Sequence, residues 1–361
     1  MLPGTQFVSL TLQYNYLEYS RSINNLKIMA EPQVTIVVSP RERFSYTRQS
    51  LESIYEHTHI PFKLIYVDGN SPSSTKRYLA QQAKEKHFRL IRTDYYLSPN
   101  HARNIGLNCV DTKYVVFADN DIVVSDGWLS HLVKCAEETE AAVVGPLMCQ
   151  KMTQDEPLHE IIHFAGGESH VFYDVKGRRR LREKMYLQGK RIPDVSDRLK
   201  REPTELAEFH CVLVRTAIFE QIGGKLDEEI LNTKEHLDFC MQVAQLGGTV
   251  YFEPKCVVTY VPGPPLELAD VPYYMLRWSD AWVVRSLNRL QEKWDLVEDS
   301  YFSNRYRCLG WRRTETLIHP LIRFLTLGRM NGFLERKFIA VDKRINRYLT
   351  DRYGRRLSQH E

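Results

Sequence analysis

Short apolar runs alternate with amphipathic stretches over the first two thirds of the chain. The run VTIVV, for example, is rich in β-branched residues, which is typical of a buried strand. Between such runs, apolar residues recur at the spacing of one helix face. Strands that alternate with helices indicate parallel βαβ units with helices on both faces of the sheet. The runs that we interpret as strands are VTIVV (34–38), FKLIYV (62–67), FRLIR (88–92), KYVVFA (113–118), AAVVGP (141–146), FHCVLV (209–214), TVYFE (249–253) and CVVTYV (256–261).

The pattern divides the chain into three parts. Residues 1–30 show no clear periodicity and are predicted to form a poorly patterned N-terminal extension. Residues 31–265 carry the alternating pattern and predict one α/β domain. Residues 266–361 indicate helices with aromatic and basic residues. Within the domain, the basic stretch KGRRRLREK (176–184) favours an exposed charged loop, or a mobile loop that closes over an anionic ligand.

Cysteine usage and charge distribution change this picture in two ways. The seven cysteines are scattered without a Cys-x-x-Cys pair, which indicates reduced thiols and a cytoplasmic protein rather than a disulfide or zinc framework. The net charge is +4, but residues 300–361 carry 14 Lys/Arg against 5 Asp/Glu. That basic tail favours contact with a polyanion or an anionic membrane surface, whereas a solvated helical face explains it equally well.

The segment LIHPLIRFLTLGRMNGFLERKF (317–338) mixes apolar and basic residues at helical spacing. This composition is typical of a helix that lies on a membrane surface, and it predicts peripheral contact with the inner face of a membrane. A helix that packs on the α/β domain accounts for the apolar positions equally well. No run approaches the ~18 to 20 apolar residues that span a bilayer. We expect no nucleic-acid partner.

Carboxylates follow two of the predicted strands. Asp68 comes after FKLIYV, and Asp119 and Asp121 flank Asn120 after KYVVFA. In parallel α/β sheets, ligands bind beyond the carboxyl ends of the strands. Two aspartates separated by one residue can share a hard divalent cation such as Mg²⁺ or Mn²⁺. Such a triplet is a weak signal alone, but the apolar flanks on both sides strengthen the prediction of a cation site.

Six motifs occur in an order and spacing that resemble the successive blocks of family 2 glycosyltransferases of the GT-A fold. The resemblance covers about residues 33 to 262 and does not extend beyond about 265. The motifs are VTIVVSP, IYVDGNSP, HARNIGL, YVVFADNDIVVSDGWL, VLVRTAIFEQIGG and KEHLDFCMQVAQLGG. The resemblance implies a GT-A (Rossmann-like) α/β fold with a mostly parallel sheet and helices on both faces. To this the present chain adds a helical C-terminal extension.

The resemblance also implies a reaction. A sugar would move from a nucleotide-diphospho-sugar donor to an acceptor hydroxyl, with inversion and with the help of a divalent cation, Mg²⁺ or Mn²⁺. The acceptor would be a glycan, a lipid-linked molecule or another hydroxyl compound, in the synthesis of a polysaccharide, glycolipid or glycoconjugate.

Four residues match functional positions of the family. Asp68 matches the aspartate that binds the nucleobase, although Asp-Gly-Asn is also good turn chemistry. Arg103 matches a residue that faces the donor, where it can pair with phosphate oxygens or form a structural salt bridge. Asp119 matches the first carboxylate of the DxD motif, near the donor ribose and the metal. Asp121 matches the direct metal ligand.

One departure from the family pattern concerns the general base. The family has a Glu-Asp pair whose Asp is the base, but here the sequence Lys-Glu-His-Leu-Asp puts His236 at that position. Helical geometry directs Glu235 and His236 toward the body of the protein and Asp238 toward the polar side with Gln242. A neutral imidazole can act as a base near neutral pH. His236, Glu235 and Asp238 are the candidates for the catalytic role.

Glu235 and His236 also fit purely structural roles. Asn232 and Glu235 have the spacing of a capping box, and His236 can be a satisfied core histidine. A second departure is Tyr260, which stands where many relatives place a metal-binding histidine. Either the metal then relies on the two aspartates and the donor phosphates, or another residue replaces the histidine. The departures favour one alternative, a non-catalytic glycosyltransferase-like protein that binds a nucleotide-sugar or a glycan.

Overall fold

The computed structural model describes residues 31–153, 155–261 and 266–357, so the predicted N-terminal extension lies outside the described residues. The strands are β1 (Val34–Ser39), β2 (Phe62–Gly69), β3 (Arg89–Thr93), β4 (Tyr114–Asp119), β5 (Ile122–Val124), β6 (Val143–Gln150), β7 (Ile161–Phe164), β8 (Gly167–Tyr173), β9 (Arg179–Met185), β10 (Glu202–Thr204), β11 (Cys211–Arg215) and β12 (Val250–Tyr260). The helices of the α/β part are α1 (Thr47–Glu56), α2 (Ser73–Lys86), α3 (Pro99–Leu107), α4 (Trp128–Thr139), α5 (Ile192–Val195), α6 (Ile218–Gln221) and α7 (Glu235–Gln245).

The C-terminal region consists of helices. They are α8 (Val271–Arg277), α9 (Asp280–Lys293), α10 (Ser300–Arg307), α11 (Trp311–Arg313), a π-helical turn (Thr314–Ile318), α12 (His319–Leu325) and α13 (Gly332–Leu357). No helix in the described part of the chain is long and apolar enough to cross a membrane. The domain boundary at residue 265 stays a prediction.

One large sheet organises the α/β part. Its strand order is β10-β12-β6-β11-β4-β1-β2-β3, with β5 beside β12 and β7 beside β6. Strands β3, β2, β1 and β4 are parallel to one another, and so are β6 and β12. Strand β11 runs antiparallel between β4 and β6. The predicted fold class, a mixed and mostly parallel sheet with helices and a helical C-terminal region, is confirmed.

The centre of the core brings a helix close to the carboxyl ends of the strands. Every residue of β1 and β4 is buried. Helix α3 packs so closely on β1 that a Cβ atom at Gly106 would lie 2.3 Å from Cγ1 of Val37. Only glycine permits this approach without a shift of its neighbours. Because α3 also carries Arg103, the close packing places that side chain beside the end of β4.

Two sequence interpretations are wrong in detail. TVYFE and CVVTYV belong to one strand, β12, whose register shifts between Glu253 and Val257. The basic stretch at 176–184 is largely not a loop, because β9 pairs with β8 in an antiparallel hairpin. Glu183 on β9 pairs with Lys234 at 2.8 Å and with Arg305 at 2.7 Å. These ion pairs tie the hairpin to both the α/β part and the C-terminal helices.

The C-terminal helices are attached to the α/β part near the end of β1. The backbone N–H of Phe44 donates a hydrogen bond to Asp270 at 2.7 Å. Among the helices themselves, Arg313 is fully buried and pairs with Asp280 at 3.0 Å and with Asp342 at 2.9 Å. The region therefore lies against the carboxyl edge of the sheet, where the predicted site residues are found.

Candidate active site

Asn120 fixes the turn that carries the two aspartates. Its side-chain oxygen accepts a hydrogen bond from the backbone N–H of Arg41 at 3.0 Å. Its amide group donates to the carbonyl oxygen of Arg43 at 2.7 Å. The neutral amide thus joins the loop after β1 to the turn after β4, and it adds no charge between two carboxylates.

Asp119 ends β4 and is fully buried among cationic groups. Its Oδ1 accepts a hydrogen bond from Nη2 of Arg103 at 3.1 Å, and its Oδ2 lies 3.6 Å from Nε of Arg41. Burial raises the pKa of Asp119, while the two guanidinium groups oppose that rise. Arg103 therefore lies directly against the first carboxylate of the DxD motif.

Asp119, Asp121 and His210 form a cluster that fits a divalent cation. All three residues are buried, and one ligand atom from each lies within 4.8 Å of the others. Among the described residues, both oxygens of Asp121, Oδ2 of Asp119 and Nδ1 of His210 have no hydrogen-bond partner. Buried polar atoms are normally hydrogen-bonded. These four atoms converge without a hydrogen bond, and Nδ1 of His210 lies 3.0 Å from Oδ2 of Asp119. A shared cation would satisfy this arrangement, and carboxylate with imidazole is a donor set that Mn²⁺ accepts.

The ionisation of this cluster supports the same interpretation. Burial raises the pKa of Asp121 well above its usual value, and the charges of Asp119 and Glu42 raise it further. Burial, with the nearby Arg41, lowers the pKa of His210 well below its usual value. The imidazole of His210 is therefore neutral near pH 7 and keeps a lone pair that a metal can accept. A bound cation would also offset the repulsion between the carboxylates.

The sequence motifs do not reveal His210. It precedes β11, and its carbonyl oxygen accepts the backbone N–H of Asp119 at 2.9 Å, so the antiparallel pairing puts it at the end of β4. The ring of Tyr260 stacks on its imidazole with 4.1 Å between centroids. The hydroxyl of Tyr260 donates to Glu42 at 2.7 Å. The available signal in the sequence is a histidine inside the apolar run FHCVLV.

Glu235 begins α7 and faces the same arginines from the other side. Its Oε1 lies 3.5 Å from Nη1 of Arg103 and 3.6 Å from Nη1 of Arg41. Burial alone would raise the pKa of Glu235, but the surrounding cations, Arg103 first, lower it to about 2. The predicted capping box is wrong. The N-cap residue is Lys234, at φ 76°, and the amide of Asn232 instead bonds a backbone carbonyl of the C-terminal region.

His236 follows Glu235 on α7 and lines a cavity of about 320 Å³. Its Nε2 lies 3.6 Å from Oε1 of Glu208, which lines the same cavity. Burial would raise the pKa of Glu208, but His236 and His210 lower it below its usual value. Glu208 is therefore ionised, and its carboxylate lies beside the imidazole of His236. Glu208 is a second residue that the sequence motifs do not reveal.

Asp238 is directed away from this cavity. Its carboxylate accepts hydrogen bonds from Lys293 at 2.8 Å, from the indole N–H of Trp294 at 2.9 Å and from Gln242 at 2.8 Å. The contact with Gln242 agrees with the helical geometry. Asp238 is nevertheless buried, because the end of α9 covers this side of α7.

The C-terminal region supplies one wall of the cavity. Trp278, Arg305, Trp311 and Arg312 line it from that side. From the α/β part, the lining residues include Arg41, His163, Glu208, His210, Lys234, Glu235 and His236. The DxD aspartates lie behind the Arg41 and His210 side chains, so the cation cluster and the cavity adjoin one another.

Arg277 on α8 is a further cationic group beside the DxD motif. Its Nε donates to the carbonyl oxygen of Arg41 at 3.0 Å, whereas Nη1 and Nη2 have no hydrogen-bond partner within the described residues. Burial and the neighbouring Arg41 lower the pKa of Arg277 to about 10. Its charge opposes the raised pKa of Asp119 and lowers that of Glu235. A buried guanidinium with two unpartnered nitrogens is suited to an anionic ligand.

Asp68 lies near the end of β2, and its carboxylate is occupied by contacts within the turn that follows. It accepts hydrogen bonds from the backbone N–H of Ser71 at 2.8 Å and from the hydroxyl of Ser71 at 2.9 Å. It also pairs with Arg92. The structure therefore shows the turn contacts that Asp-Gly-Asn indicates, and the nucleobase role of Asp68 stays a prediction.

We expect Glu235→Gln to destabilise the protein in a pH-dependent way. A lowered pKa means that ionised Glu235 stabilises the folded state above its ordinary pKa of 4.5, and that this contribution is lost as the pH falls toward 2. The shift corresponds to about 3 kcal/mol. Denaturant unfolding should therefore show a difference of that order between the wild type and the variant at neutral pH, and a smaller one below pH 4.5. The exposed Glu229→Gln is the control, and an equal difference at both pH values would contradict the assignment.

Comparison with known proteins identifies the family. The model of "Glycosyl transferase family 2" matches residues 35–222, which is more than half of the chain. An uncharacterized glycosyltransferase of Rickettsia bellii is 26% identical over 38% of this chain and 21% of its own length. The GalNAc(5)-diNAcBac-PP-undecaprenol β-1,3-glucosyltransferase of Campylobacter jejuni is 27% identical over 33% of this chain and 40% of its own length.

The chain thus spans less than half the length of these two relatives. Among solved structures, S. aureus TarS 1-349 in complex with UDP-GlcNAc is 16% identical, with a TM-score of 0.45 over 83% of this chain and 75% of that one. The family match covers the elements that carry Asp68, Arg103, Asp119, Asp121 and His210. The protein belongs to glycosyl transferase family 2.

Proposed function

We propose that the protein transfers a hexose from a nucleotide-diphospho-sugar to an acceptor hydroxyl, with inversion and with the help of a divalent cation. The observation that carries this proposal is the convergence of four buried, unpartnered ligand atoms of Asp119, Asp121 and His210 beside a cavity that His236 lines. A binding protein without catalysis would need neither a neutral histidine at the DxD motif nor a base candidate in the cavity.

The cation would be held by Asp121, by Oδ2 of Asp119 and by Nδ1 of His210. A bound Mg²⁺ or Mn²⁺ would offset the charge of the diphosphate leaving group. His210 would then supply the ligand that the family places near Tyr260. The neutral state of His210 and the high pKa of Asp121 both support this arrangement, since a cation replaces a proton that the buried carboxylate otherwise holds.

We assign different roles to the two buried arginines beside the DxD motif, Arg103 and Arg277. Arg103 contacts both Asp119 and Glu235, so we propose that it positions these carboxylates rather than the phosphates. Arg277, with Nη1 and Nη2 unpartnered among the described residues, is the group we assign to the diphosphate. The predicted donor-binding role of Arg103 is then indirect.

His236 is the base that we propose for the acceptor. The proton of the acceptor hydroxyl passes to the imidazole, and the hydroxyl oxygen bonds to the anomeric carbon from the side opposite the diphosphate. The bond from that carbon to the diphosphate oxygen breaks, which inverts the configuration. Glu235, whose pKa is lowered to about 2, is a weak base at neutral pH. Asp238 is held by Lys293 and Trp294.

The acceptor class that we propose is a lipid-linked molecule, with a glycan or another hydroxyl compound as the alternative. The similarity to the GalNAc(5)-diNAcBac-PP-undecaprenol β-1,3-glucosyltransferase of Campylobacter jejuni supports this choice. We also propose a cytoplasmic location, because all seven cysteines are free. Transfer assays with lipid-linked and free glycan acceptors, and fractionation of cells, test the two points.

Asp121→Asn should abolish turnover. Loss of a ligand that stabilises developing charge removes several kcal/mol, so we expect kcat to fall at least about a hundredfold. The measurement is nucleotide release from a panel of nucleotide-sugars with Mg²⁺ or Mn²⁺. His210→Ala should raise the metal concentration needed for half-maximal rate, while the exposed Asp295→Asn serves as the matched control.

An unaffected rate in Asp121→Asn would contradict the proposed role of this carboxylate, whereas the non-catalytic alternative predicts that the substitution changes only the binding of a nucleotide-sugar. Wild-type protein that releases no nucleotide from any donor with either metal would contradict the catalytic proposal itself.

His236→Ala should lower kcat by about a hundredfold to ten-thousandfold, the range for loss of a general base. The KM for the donor should change little, because His236 acts on the acceptor. Glu208→Gln should lower kcat less and should also leave the donor KM unchanged. Steady-state kinetics of both variants, measured with the acceptor at saturation, test these expectations. A large rise in donor KM with an unchanged kcat would contradict the assignment of the base.

Arg277→Gln should weaken donor binding. A hydrogen bond between a charged group and an anion contributes about 1.5 to 3 kcal/mol, so the Kd for the nucleoside diphosphate should rise roughly tenfold to a hundredfold. Isothermal titration with the nucleoside diphosphate measures this change, and the exposed Arg352→Gln is the control. A Kd equal to that of the wild type would assign the diphosphate to another group.

A further inference from the structure

Apolar side chains are exposed where the last two helices meet. We call residues 321–333 the hairpin tip, since they comprise most of α12, the turn after it and the start of α13. Phe324 is 80% exposed and Leu327 is 96% exposed. The other exposed apolar side chains of the tip are Leu321, Leu325, Met330 and Phe333. Single exposed apolar residues are normal on protein surfaces. Six within thirteen positions form a contiguous patch, which is typical of a surface that binds a partner or a membrane.

The exposed apolar surface continues along one side of α13. At 100° per residue, Val341, Ile345 and Tyr348 lie on the same side of the helix as Phe333, and all are exposed. The opposite side is buried. There Asp342 pairs with Arg313, and the amide of Asn346 donates to a backbone carbonyl of α8 at 2.8 Å. Packing of α13 on the protein therefore uses one side and leaves the other free.

Exposed basic side chains surround the hairpin tip. Arg323, Arg329, Arg336 and Lys337 are all exposed. No ion pair joins any of these four to another residue in the described part of the chain. A carboxylate in the same stretch, Glu335, already contacts His319 at 2.9 Å. The apolar tip is thus rimmed by uncompensated positive charge.

We propose that the hairpin tip and the exposed side of α13 dock on an anionic lipid surface, with the apolar side chains inserted between the headgroups. An amphipathic helix with a basic rim binds lipid through apolar burial together with attraction to anionic headgroups. A second copy of the chain is a poorer occupant, because it would bring the same uncompensated charges into contact.

Docking would bring the catalytic cavity near the lipid. Trp311 lines the cavity and is 55% exposed. It begins the helical run that ends at Leu325, about 20 Å away at 1.5 Å per residue. The docking surface stands on exposure and charge alone, but this consequence rests on the proposed transfer to a lipid-linked acceptor.

Co-sedimentation of the full chain with vesicles tests the surface. We expect binding to vesicles of phosphatidylcholine mixed with phosphatidylglycerol, and much weaker binding to phosphatidylcholine alone. The double variant Phe324→Ser with Leu327→Ser should lower the partition coefficient at least about tenfold, because each loses several buried carbons. A matched double variant, Val175→Ser with Leu268→Ser, removes two exposed apolar side chains elsewhere and should bind as the wild type does. All four sites are exposed, and unchanged thermal unfolding confirms that the variants fold.

The charged rim has its own test. Arg329→Gln and Lys337→Gln should each lower binding to the anionic vesicles by roughly fivefold, without effect on neutral vesicles. Wild-type protein that binds neither vesicle, or a tip variant that binds as the wild type does, would overturn the proposal. Self-association that the tip variant abolishes, without vesicle binding, would identify a second copy as the occupant. Nucleotide release from the donor in vesicle-free buffer should be unchanged in every tip variant, which separates this proposal from the proposed chemistry.

Discussion

The candidate active site depends on one fully buried guanidinium group. Arg103 contacts Asp119, which ends β4, and Glu235, which begins α7. Two carboxylates cannot lie this close in buried surroundings unless a cation stands between them. Arg103 therefore sets the distance between the DxD motif and the helix that carries the candidate base. The close approach of α3 to β1 at Gly106 is what allows the arginine to reach both. Each buried ion costs several kcal/mol of desolvation, so such a network is a poor way to gain stability.

Close to Arg103 and these carboxylates, some of the buried atoms that have no hydrogen-bond partner among the described residues define two zones. The carboxylate oxygens of Asp121 and the imidazole nitrogen of His210 form a zone that a cation would satisfy, and the outer nitrogens of Arg277 form a zone that an anion would satisfy. A zone for a cation beside a zone for an anion matches a diphosphate with its metal ion. The C-terminal region contributes the anion zone, because Arg277 belongs to α8. In this chain the helical extension is thus part of the site rather than an appendage.

Local patterns predicted the parts of the site that lie on strand ends. The apolar run before Asp119 and the resumption of that run after Asp121 indicate a buried turn, and both aspartates are buried there. The family resemblance also singled out Arg103, which the structure brings against Asp119, while its role toward a donor stays a prediction. His210 and Arg277 were beyond reach because they depend on long-range packing. Periodicity suggests parallel strands throughout, whereas His210 reaches Asp119 only because β11 runs antiparallel beside β4.

Tyr260, which stands where the resemblance implies a metal-binding histidine, is held by two contacts. A tyrosine hydroxyl at this position donates to Glu42, whose other oxygen accepts the indole N–H of Trp278 at 2.8 Å. The ring meanwhile stacks on His210 and so holds the imidazole beside Asp119. Glu42, through Tyr260 and Trp278, links β12 to the C-terminal helices. The aromatic contact between Tyr260 and His210 thus joins the end of β12 to the start of β11 beside the DxD motif. Because this contact depends on the packing of distant strands, neither residue can be interpreted from the sequence alone.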